Sequence, residues 1–236
     1  MNYTKMIRKA SPGDWNSVSY ISSTAGYDDY INSHYGPSYL NSGNVYVSDN
    51  SGIDGFIKIE VLEDNSLWFS GVRVSQESRR KHIATTMLEY TYKYAMKNGY
   101  NTMRCMVETN NIPSIKLMES FGMSIVQKYD FFLGGIDISS YAYTQKLKHG
   151  LVNKEWKFDS EYKGVYGNGN NQIFVYTGDL TYYTVLEGLD FEYVPEGSTC
   201  APDYLSSFIK LKPDQEFVSG YVFEKKIGNN KIHNFS

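Results

Sequence analysis

The sequence of 236 residues has few cysteines, no long apolar run and no basic excess. Its two cysteines are too few for a disulfide framework or a four-ligand zinc site. No apolar stretch approaches the roughly 18 residues that a membrane helix needs, and residues 1–8 lack the apolar core of a signal peptide. The formal net charge of −3 does not favour a nucleic acid as partner. We therefore expect a cytoplasmic protein without a bound metal, a membrane partner or a nucleic-acid partner.

Cys105 lies in the apolar stretch of residues 103–107. Small apolar side chains and thiols are typical of buried strands, so we interpret Cys105 as a buried strand thiol. The alternative is a nucleophile, which would need a histidine nearby in space. Sequence spacing alone does not identify such a partner.

Residues 1–148 alternate between strand-like and helix-like patterns. The clearest helix is predicted over residues 80–98, where Ile83, Met87, Tyr90 and Tyr94 fall near helical spacing. Further helices are predicted at residues 15–24 and 113–122. Strands are predicted at residues 5–9, 44–48, 55–62, 66–74, 100–107, 124–132 and 141–147. The last two are predicted to flank Gly134 and Gly135 as a pair. This order predicts an α/β fold with a mixed sheet.

Residues 151–236 consist mostly of short β-like runs. Strands are predicted at residues 172–176, 182–186 and 217–223, with one short helix at 203–209. We therefore predict two domains, residues 1–148 and a smaller β-rich domain or extension over residues 151–236.

A strand, a basic turn and a helix start follow one another in the run VRVSQESRRKHIATTML of residues 72–88. Backbone N–H groups at a helix N-terminus bind anions, and the helix dipole favours negative charge there. The cations Arg79, Arg80 and Lys81 surround that position, followed by His82. The run therefore predicts a phosphate-binding turn, although a solvated basic helix start is the simpler interpretation.

A second run, NIPSIKLMESFGM, covers residues 111–123. Asn111 precedes a helix that has Pro113 near its start and Gly122 at its end. Taken together, the two runs resemble the acyl-CoA-binding half of the GNAT superfamily of N-acyltransferases. The resemblance covers residues 5–147 and implies a sheet that is mostly antiparallel and flanked by helices.

The resemblance implies acetyl-CoA as co-substrate. Backbone groups of Val72 and Val74 would pair with the pantetheine arm, and the basic turn would hold the pyrophosphate. The implied cofactor-binding residues are Val72, Arg73, Val74, Arg79, Arg80, Lys81, His82, Ile83, Ala84, Thr85, Asn111, Ser114 and Lys116. For Asn111, a plain helix cap is the alternative.

Two positions depart from the family pattern. His82 replaces the central glycine of the turn, and glycine there permits close approach and unusual dihedral angles. Met118 replaces a tyrosine that would protonate the departing thiolate, and methionine has no proton to donate. Tyr129 or water could serve instead, the thiolate could leave unprotonated, or catalysis could be lost.

The resemblance implies direct attack of a primary amine on the thioester. Glu108, at the end of a strand, and Glu60 are the candidate bases, with Glu108 slightly preferred; a surface acid is the simpler interpretation of each. The backbone N–H of Val74 would polarise the carbonyl. The acceptor would be a small molecule, an amino acid or a peptide, and a homodimer is compatible with these expectations.

Two other classes compete with this N-acetyltransferase. The first is a non-catalytic acyl-CoA-binding regulatory module, which His82 and Met118 favour. The second is an acetylase linked to nucleic acid, which the acidic balance disfavours.

Overall fold

The computed structural model describes residues 6–25, 29–41, 43–61, 65–137, 145–147, 162–167, 172–176, 182–186, 192–215 and 218–228. The chain folds as two compact units. The first comprises residues 1–61, 65–105 and 225–236, and the second comprises residues 62–64 and 106–224. The predicted boundary at residues 148–151 lies outside the described residues, so the two predicted domains stay a prediction.

The first unit is built on a sheet whose neighbouring strands are β1, β2, β3, β4 and the start of β5. These strands are β1 Met6–Lys9, β2 Val45–Asp49, β3 Ile53–Val61, β4 Leu67–Val74 and β5 Thr102–Glu108. The first four pair antiparallel, and β4 pairs parallel with β5. The sheet is therefore mixed and mostly antiparallel, as the sequence predicts.

Helices cover both faces of this sheet. On one face lie helix α1 Trp15–Ser23 and the helical turns Ile31–Tyr35 and Gly36–Leu40. Their apolar side chains form one buried cluster with inward residues of β2 and β3, including Val18, Ile21, Val47 and Phe56. We call this face of the sheet the α1 face.

Helix α2 Ile83–Lys97 packs on the opposite face. Its buried residues recur at helical spacing: Ile83, Met87, Leu88, Thr91 and Ala95. A Cβ atom at Gly55 would lie 3.0 Å from Ile83 Cγ2 and 3.2 Å from Met87 Cε. A larger residue at position 55 would therefore hold α2 away from the sheet.

The second unit contains helix α3 and most of the remaining strands. Their bounds are α3 Ile112–Ser120, β6 Ser124–Asp137, β7 Gln145–Leu147, β8 Tyr162–Gly167, β9 Gln172–Tyr176, β10 Tyr182–Leu186, β11 Glu192–Pro202, β12 Lys212–Pro213 and β13 Ser219–Lys226. Strand β6 pairs with β11, β12 and β13. A short 3-10 helix, Asp203–Phe208, follows β11.

The predicted strands at residues 172–176 and 182–186 are confirmed as β9 and β10. The predicted pair around Gly134 and Gly135 is wrong. Strand β6 continues through both glycines to Asp137, and β7 pairs with β10. Glycines interrupt a strand only weakly when the backbone still finds ladder partners, and β11 supplies them opposite Gly135 and Ile136.

Candidate active site

A β-bulge interrupts strand β4 at Gly71. Phe56 of β3 lies opposite Arg73, and Lys58 lies opposite Ser70, so two residues of β4 face one residue of β3. Gly71 has a φ of 59°, which glycine adopts more readily than other residues. A Cβ atom at this position would collide with the hydroxyl of Tyr39. This bulge was not among the features predicted from the sequence, although an isolated glycine in a strand is its usual signal.

The end of β4 exposes backbone groups on the edge away from β3. Ser75 donates its backbone N–H to the carbonyl of Asp54 at 2.9 Å, so this N–H points toward β3. Because backbone N–H groups alternate along a strand, the N–H of Val74 points to the opposite edge. The described pairing of β4 with β5 is at Leu67 and Trp68, at the start of β4. Within the first unit, this edge of Val74 is therefore open to an extended ligand.

The turn after β4 adopts two left-handed conformations. A 3-10 helix, Gln76–Ser78, follows the strand. Arg80 then has a φ of 64° and His82 a φ of 59°. His82 is the N-cap of α2 and contributes no side-chain cap hydrogen bond. The position at which the family resemblance implies a glycine thus takes a glycine-like backbone conformation here with a histidine.

The start of α2 combines backbone donors with basic side chains. The N–H of Thr86 donates to the carbonyl of His82 at 2.9 Å. Among the described residues, no hydrogen bond from the N–H groups of Ile83, Ala84 or Thr85 is present. Unsatisfied N–H groups at a helix N-terminus attract anions. Arg79, Arg80, Lys81 and His82 are all exposed beside them, so this turn can hold a phosphate group.

Two side chains join the turn to α1. The hydroxyl of Tyr20 donates to Glu77 Oε1 at 3.1 Å, which raises the pKa of Tyr20. Glu77's own backbone N–H, followed by that hydroxyl, holds the pKa of Glu77 below its usual value. The guanidinium of Arg79 donates to the carbonyl of Thr24 at 3.4 Å. The exposed side chain of Arg79 therefore also contacts the C-terminal end of α1.

The side chain of Arg73 lies on the α1 face and pairs with Asp29. Arg73 Nε donates to Asp29 Oδ2 at 2.7 Å, and the carboxylate of Asp29 is fully buried. Asp29 Oδ1 also accepts the N–H of Ile31 at 3.2 Å. Arg73 therefore anchors the helical turn that begins at Ile31. Its predicted role in binding the cofactor can come only from its backbone in this arrangement.

Glu60, a candidate base, lies on the α1 face of β3. Its Oε1 is 3.5 Å from Lys58 Nζ, and both side chains are largely buried. Trp68 lies opposite Glu60 on β4. Lys58 Nζ also lies 5.8 Å from the centroid of the Tyr39 ring. Glu60 was predicted from the sequence, but Lys58 and Tyr39 were not, because only the strand register and the turn of residues 36–40 bring the three side chains together.

The remaining predicted site residues belong to the second unit. Glu108 ends β5 and is half-buried, and its carbonyl accepts the N–H of Asn111 at 3.0 Å. Asn111 caps α3, since its Oδ1 accepts the N–H of Ser114 at 3.2 Å. Ser114 is half-buried and Lys116 is exposed on the same helix. The capping role of Asn111 is therefore present, and its contact with the cofactor stays a prediction.

The two side chains considered for protonating the thiolate are also in the second unit. Met118 is buried within α3, with 3% of its surface exposed. Tyr129 lies on β6 and is 2% exposed. Such burial restricts the access of Tyr129 to a solvent-facing ligand, so its predicted role as substitute acid gains no support here.

Cys105 is a buried strand thiol, which confirms its interpretation. It is 3% exposed, and burial raises its pKa above the ordinary value. A thiol held in its protonated form is a poor nucleophile.

The described part of the chain shows neither a metal cluster nor a membrane-spanning helix. There, no cluster of three or more histidine, cysteine or acidic side chains is arranged to hold a metal ion. None of the helices in those ranges combines the length and apolar character required to cross a membrane.

Residues 7–123 match the model of the acetyltransferase (GNAT) family. Streptothricin acetyltransferase of Escherichia coli is 31% identical over 85 residues, which is 34% of this chain and 44% of that relative. The match thus spans less than half the length of the relative. The region of residues 7–123 thus belongs to the acetyltransferase (GNAT) family.

Solved structures also resemble the chain. A candidate acetyltransferase from Thermoplasma acidophilum aligns with a TM-score of 0.57 and 19% identity, over 94% of this chain and 99% of that chain. A candidate acetyltransferase from Salmonella typhimurium, solved with its cofactor acetyl-CoA, aligns with a TM-score of 0.45 and 19% identity, over 53% of this chain and 82% of that one. The first likeness establishes the fold as the mixed sheet flanked by helices of the GNAT family.

Proposed function

We propose that the chain is a cytoplasmic N-acetyltransferase that moves an acetyl group from acetyl-CoA to a primary amine by direct attack. The observation that supports this proposal is the start of α2. Among the described residues, the N–H groups of residues 83–85 make no hydrogen bond there, and the side chains of Arg79, Arg80, Lys81 and the left-handed His82 are exposed. This arrangement suits a pyrophosphate. It follows directly on the strand edge at Val74, which suits an extended pantetheine arm.

The roles follow from this placement. The turn of residues 79–85 holds the phosphates by backbone N–H groups and cations. The N–H of Val74 donates to the thioester oxygen and stabilises the charge that develops there. Glu60 accepts the proton of the attacking amine. It is preferred because its carboxylate belongs to the first unit, as do Val74 and the turn of residues 79–85, and lies on the α1 face. Glu108 is the second candidate for this role.

The binding of acetyl-CoA is tested by thermal shift. The melting temperature should rise with acetyl-CoA concentration, because a ligand that binds the folded state stabilises it. Replacing both Arg79 and Lys81 by alanine should weaken the affinity ~10-fold or more, since hydrogen bonds to charged groups are worth about 1.5–3 kcal/mol each. Lys93→Ala is the matched control, because Lys93 is an exposed cation later on α2. Equal affinities of all three proteins would remove the turn from the phosphate site.

Catalysis is tested separately from binding. Release of free CoA should occur with at least one member of a panel of amines, amino acids and peptides that also includes streptothricin. Glu60→Gln should retain acetyl-CoA binding but lose turnover. Binding without turnover on any acceptor would favour the regulatory module, which the replacement of tyrosine by the buried Met118 also favours.

A further inference from the structure

The N–H of Val74 belongs to the planar peptide group that joins Val74 to Arg73. The backbone angles of Arg73 therefore decide where this N–H points. Gly71, at the β-bulge, lies only two residues before Arg73, and a bulge disrupts the ladder that aligns neighbouring strands. We call the N–H of Val74 and the open edge beside it the acyl site. Its geometry thus depends on contacts other than the regular ladder.

The side chain of Arg73 makes such contacts at three points. Its Nε donates to Asp29 Oδ2 at 2.7 Å, and its Nη2 donates to Asp29 Oδ1 at 3.3 Å. Its Nη1 turns back to the strand and donates to the carbonyl of Val72 at 3.2 Å. That carbonyl belongs to the peptide group on the other side of Arg73. One guanidinium thus joins a carboxylate of the α1 face to the backbone of β4 beside the acyl site.

Asp29 is itself held in place by the core. Its side chain is fully buried, and its Oδ1 also accepts the N–H of Ile31 at 3.2 Å. Ile31 is fully buried in the apolar cluster under α1. The ring of Tyr30 lies against the guanidinium, with its centroid 5.9 Å from Arg73 Cζ, a distance typical of a cation–π contact. The side chain of Arg73 therefore ends in a packed part of the first unit.

We propose that Arg73 is a positioning residue of the acyl site. Its ion pair with Asp29 holds the peptide group between Arg73 and Val74 at the angle at which the N–H of Val74 meets the thioester oxygen. Without the pair, the turn of residues 79–85 would still bind the phosphates, but this N–H would no longer be aimed at the acyl group. Hydrogen bonds weaken steeply when the donor turns away from its acceptor. The inference rests on the proposed acetyl-CoA site.

The test variant removes both partners of the pair, because removing one would leave a buried charge alone. Arg73→Met combined with Asp29→Asn leaves neither charge, and the asparagine oxygen can still accept the N–H of Ile31. The matched control is Arg8→Met combined with Asp14→Asn. Arg8 also makes two hydrogen bonds to one carboxylate, at 2.8 and 2.9 Å, but it lies on β1, which β2 and β3 separate from β4.

A second variant tests the same point with the buried charge still paired. Arg73→Lys keeps a cation for Asp29, so it disturbs the core less than the double variant. An ammonium cannot make the forked contact of a guanidinium with both carboxylate oxygens and the strand. Arg73→Lys should therefore also misplace the N–H of Val74, and it replaces the double variant if that protein does not fold.

The experiment follows the amide of Val74 by NMR in the full chain, with isotope-labelled valine nitrogen. Its signal is the one that disappears in Val74→Ile. Acetyl-CoA and CoA differ only in the acetyl group, so the change of this signal between the two saturated complexes reports the hydrogen bond to the acyl oxygen. The unaltered protein and the Arg8 control should show this change, and the two Arg73 variants should lose it. Affinity for CoA, measured by thermal shift, should be similar in all of them.

The inference is overturned, and the proposed function left standing, if the Arg73 variants respond to the acetyl group as the unaltered protein does. The same holds if the Arg8 control loses the response too, since a general loosening of the first unit would then explain it. A Val74 amide that does not distinguish acetyl-CoA from CoA in the unaltered protein would reject the acyl site itself. Absence of binding of either nucleotide would reject the proposed function and this inference together.

Discussion

Replacing Gly71 by alanine should destabilise the first unit by about 2–5 kcal/mol. The backbone at this position has a φ of 59°, and the left-handed conformation costs a residue with a Cβ atom about 1–2 kcal/mol. The added methyl group would also collide with the hydroxyl of the buried Tyr39, and overpacking of a core typically costs about 1–3 kcal/mol. The two costs have different origins and can be separated.

Two further variants separate them. Gly99→Ala has a φ of 76° with no atom within 4 Å of the new Cβ position, so it carries only the backbone cost. Tyr39→Phe removes the hydroxyl that the methyl group would meet. Combined with Gly71→Ala, it should recover about 1–3 kcal/mol in a double-mutant cycle, because only the overpacking is relieved.

Urea denaturation gives the free energy of unfolding of each variant. Trp156→Phe serves as the background, so that the fluorescence comes from Trp15 and Trp68 of the first unit. If Gly71→Ala costs no more than Gly99→Ala, and if Tyr39→Phe shows no coupling to it, the proposed collision at the bulge does not exist. In that case Gly71 of β4 would not have a left-handed backbone packed against the hydroxyl of Tyr39.

Two other predictions concern the turn and the start of α1. His82→Gly should change the free energy of unfolding by less than about 1 kcal/mol, because glycine accepts the φ of 59° but also gains conformational freedom in the unfolded chain. The same variant should keep its affinity for acetyl-CoA in a thermal-shift titration. His82→Val should lose both stability and affinity. Asp14→Asn should cost about 2 kcal/mol at pH 7, because the Arg8 guanidinium donates to both carboxylate oxygens, at 2.8 and 2.9 Å. These bonds, with weaker ones from Ser11, hold the pKa of Asp14 well below its usual value. The ionised Asp14 therefore contributes its full share to the free energy of unfolding above about pH 4, the pKa of an aspartate in the unfolded chain. This contribution decreases below that pH and is lost as the pH falls through the lower pKa of Asp14 in the folded protein. Urea titrations from pH 7 to pH 3 should show the unaltered protein losing its advantage over Asp14→Asn, and a constant difference would contradict this account.

Local patterns predicted the elements around the site. Helical spacing predicts a helix over residues 80–98, and the structure has it as α2 Ile83–Lys97. The helix begins three residues later than predicted because Arg80 and His82 adopt left-handed conformations before it. The basic turn between β4 and α2 was predicted from its position after a strand and before a helix. The left-handed conformation of His82 could be inferred only from the glycine that the family resemblance implies there, because positive φ is uncommon for any single residue other than glycine, although histidine adopts it more often than most.

Contacts between distant residues could not be predicted in the same way. Arg73 was assigned to the cofactor, but its side chain pairs with Asp29, 44 residues earlier. The pair of Lys58 and Glu60 is a simple two-residue spacing on β3, yet its relation to Tyr39 depends on the turn of residues 36–40. The local periodicity of the sequence does not predict such pairings, because they form only once the strands have paired in their final register.

The last described strand has a consequence for how the protein is made. Within the first unit, Ile227 donates its N–H to the carbonyl of Asn101 at 2.8 Å, and Lys226 Nζ donates to Thr102 Oγ1 at 3.2 Å. Both bonds join residues more than 120 positions apart along the chain. During synthesis, these hydrogen bonds can therefore form only after the ribosome has added more than half of the chain beyond the start of β5. Contacts of such large sequence separation slow folding, so we expect the ribosome-bound chain to depend on chaperones at this edge.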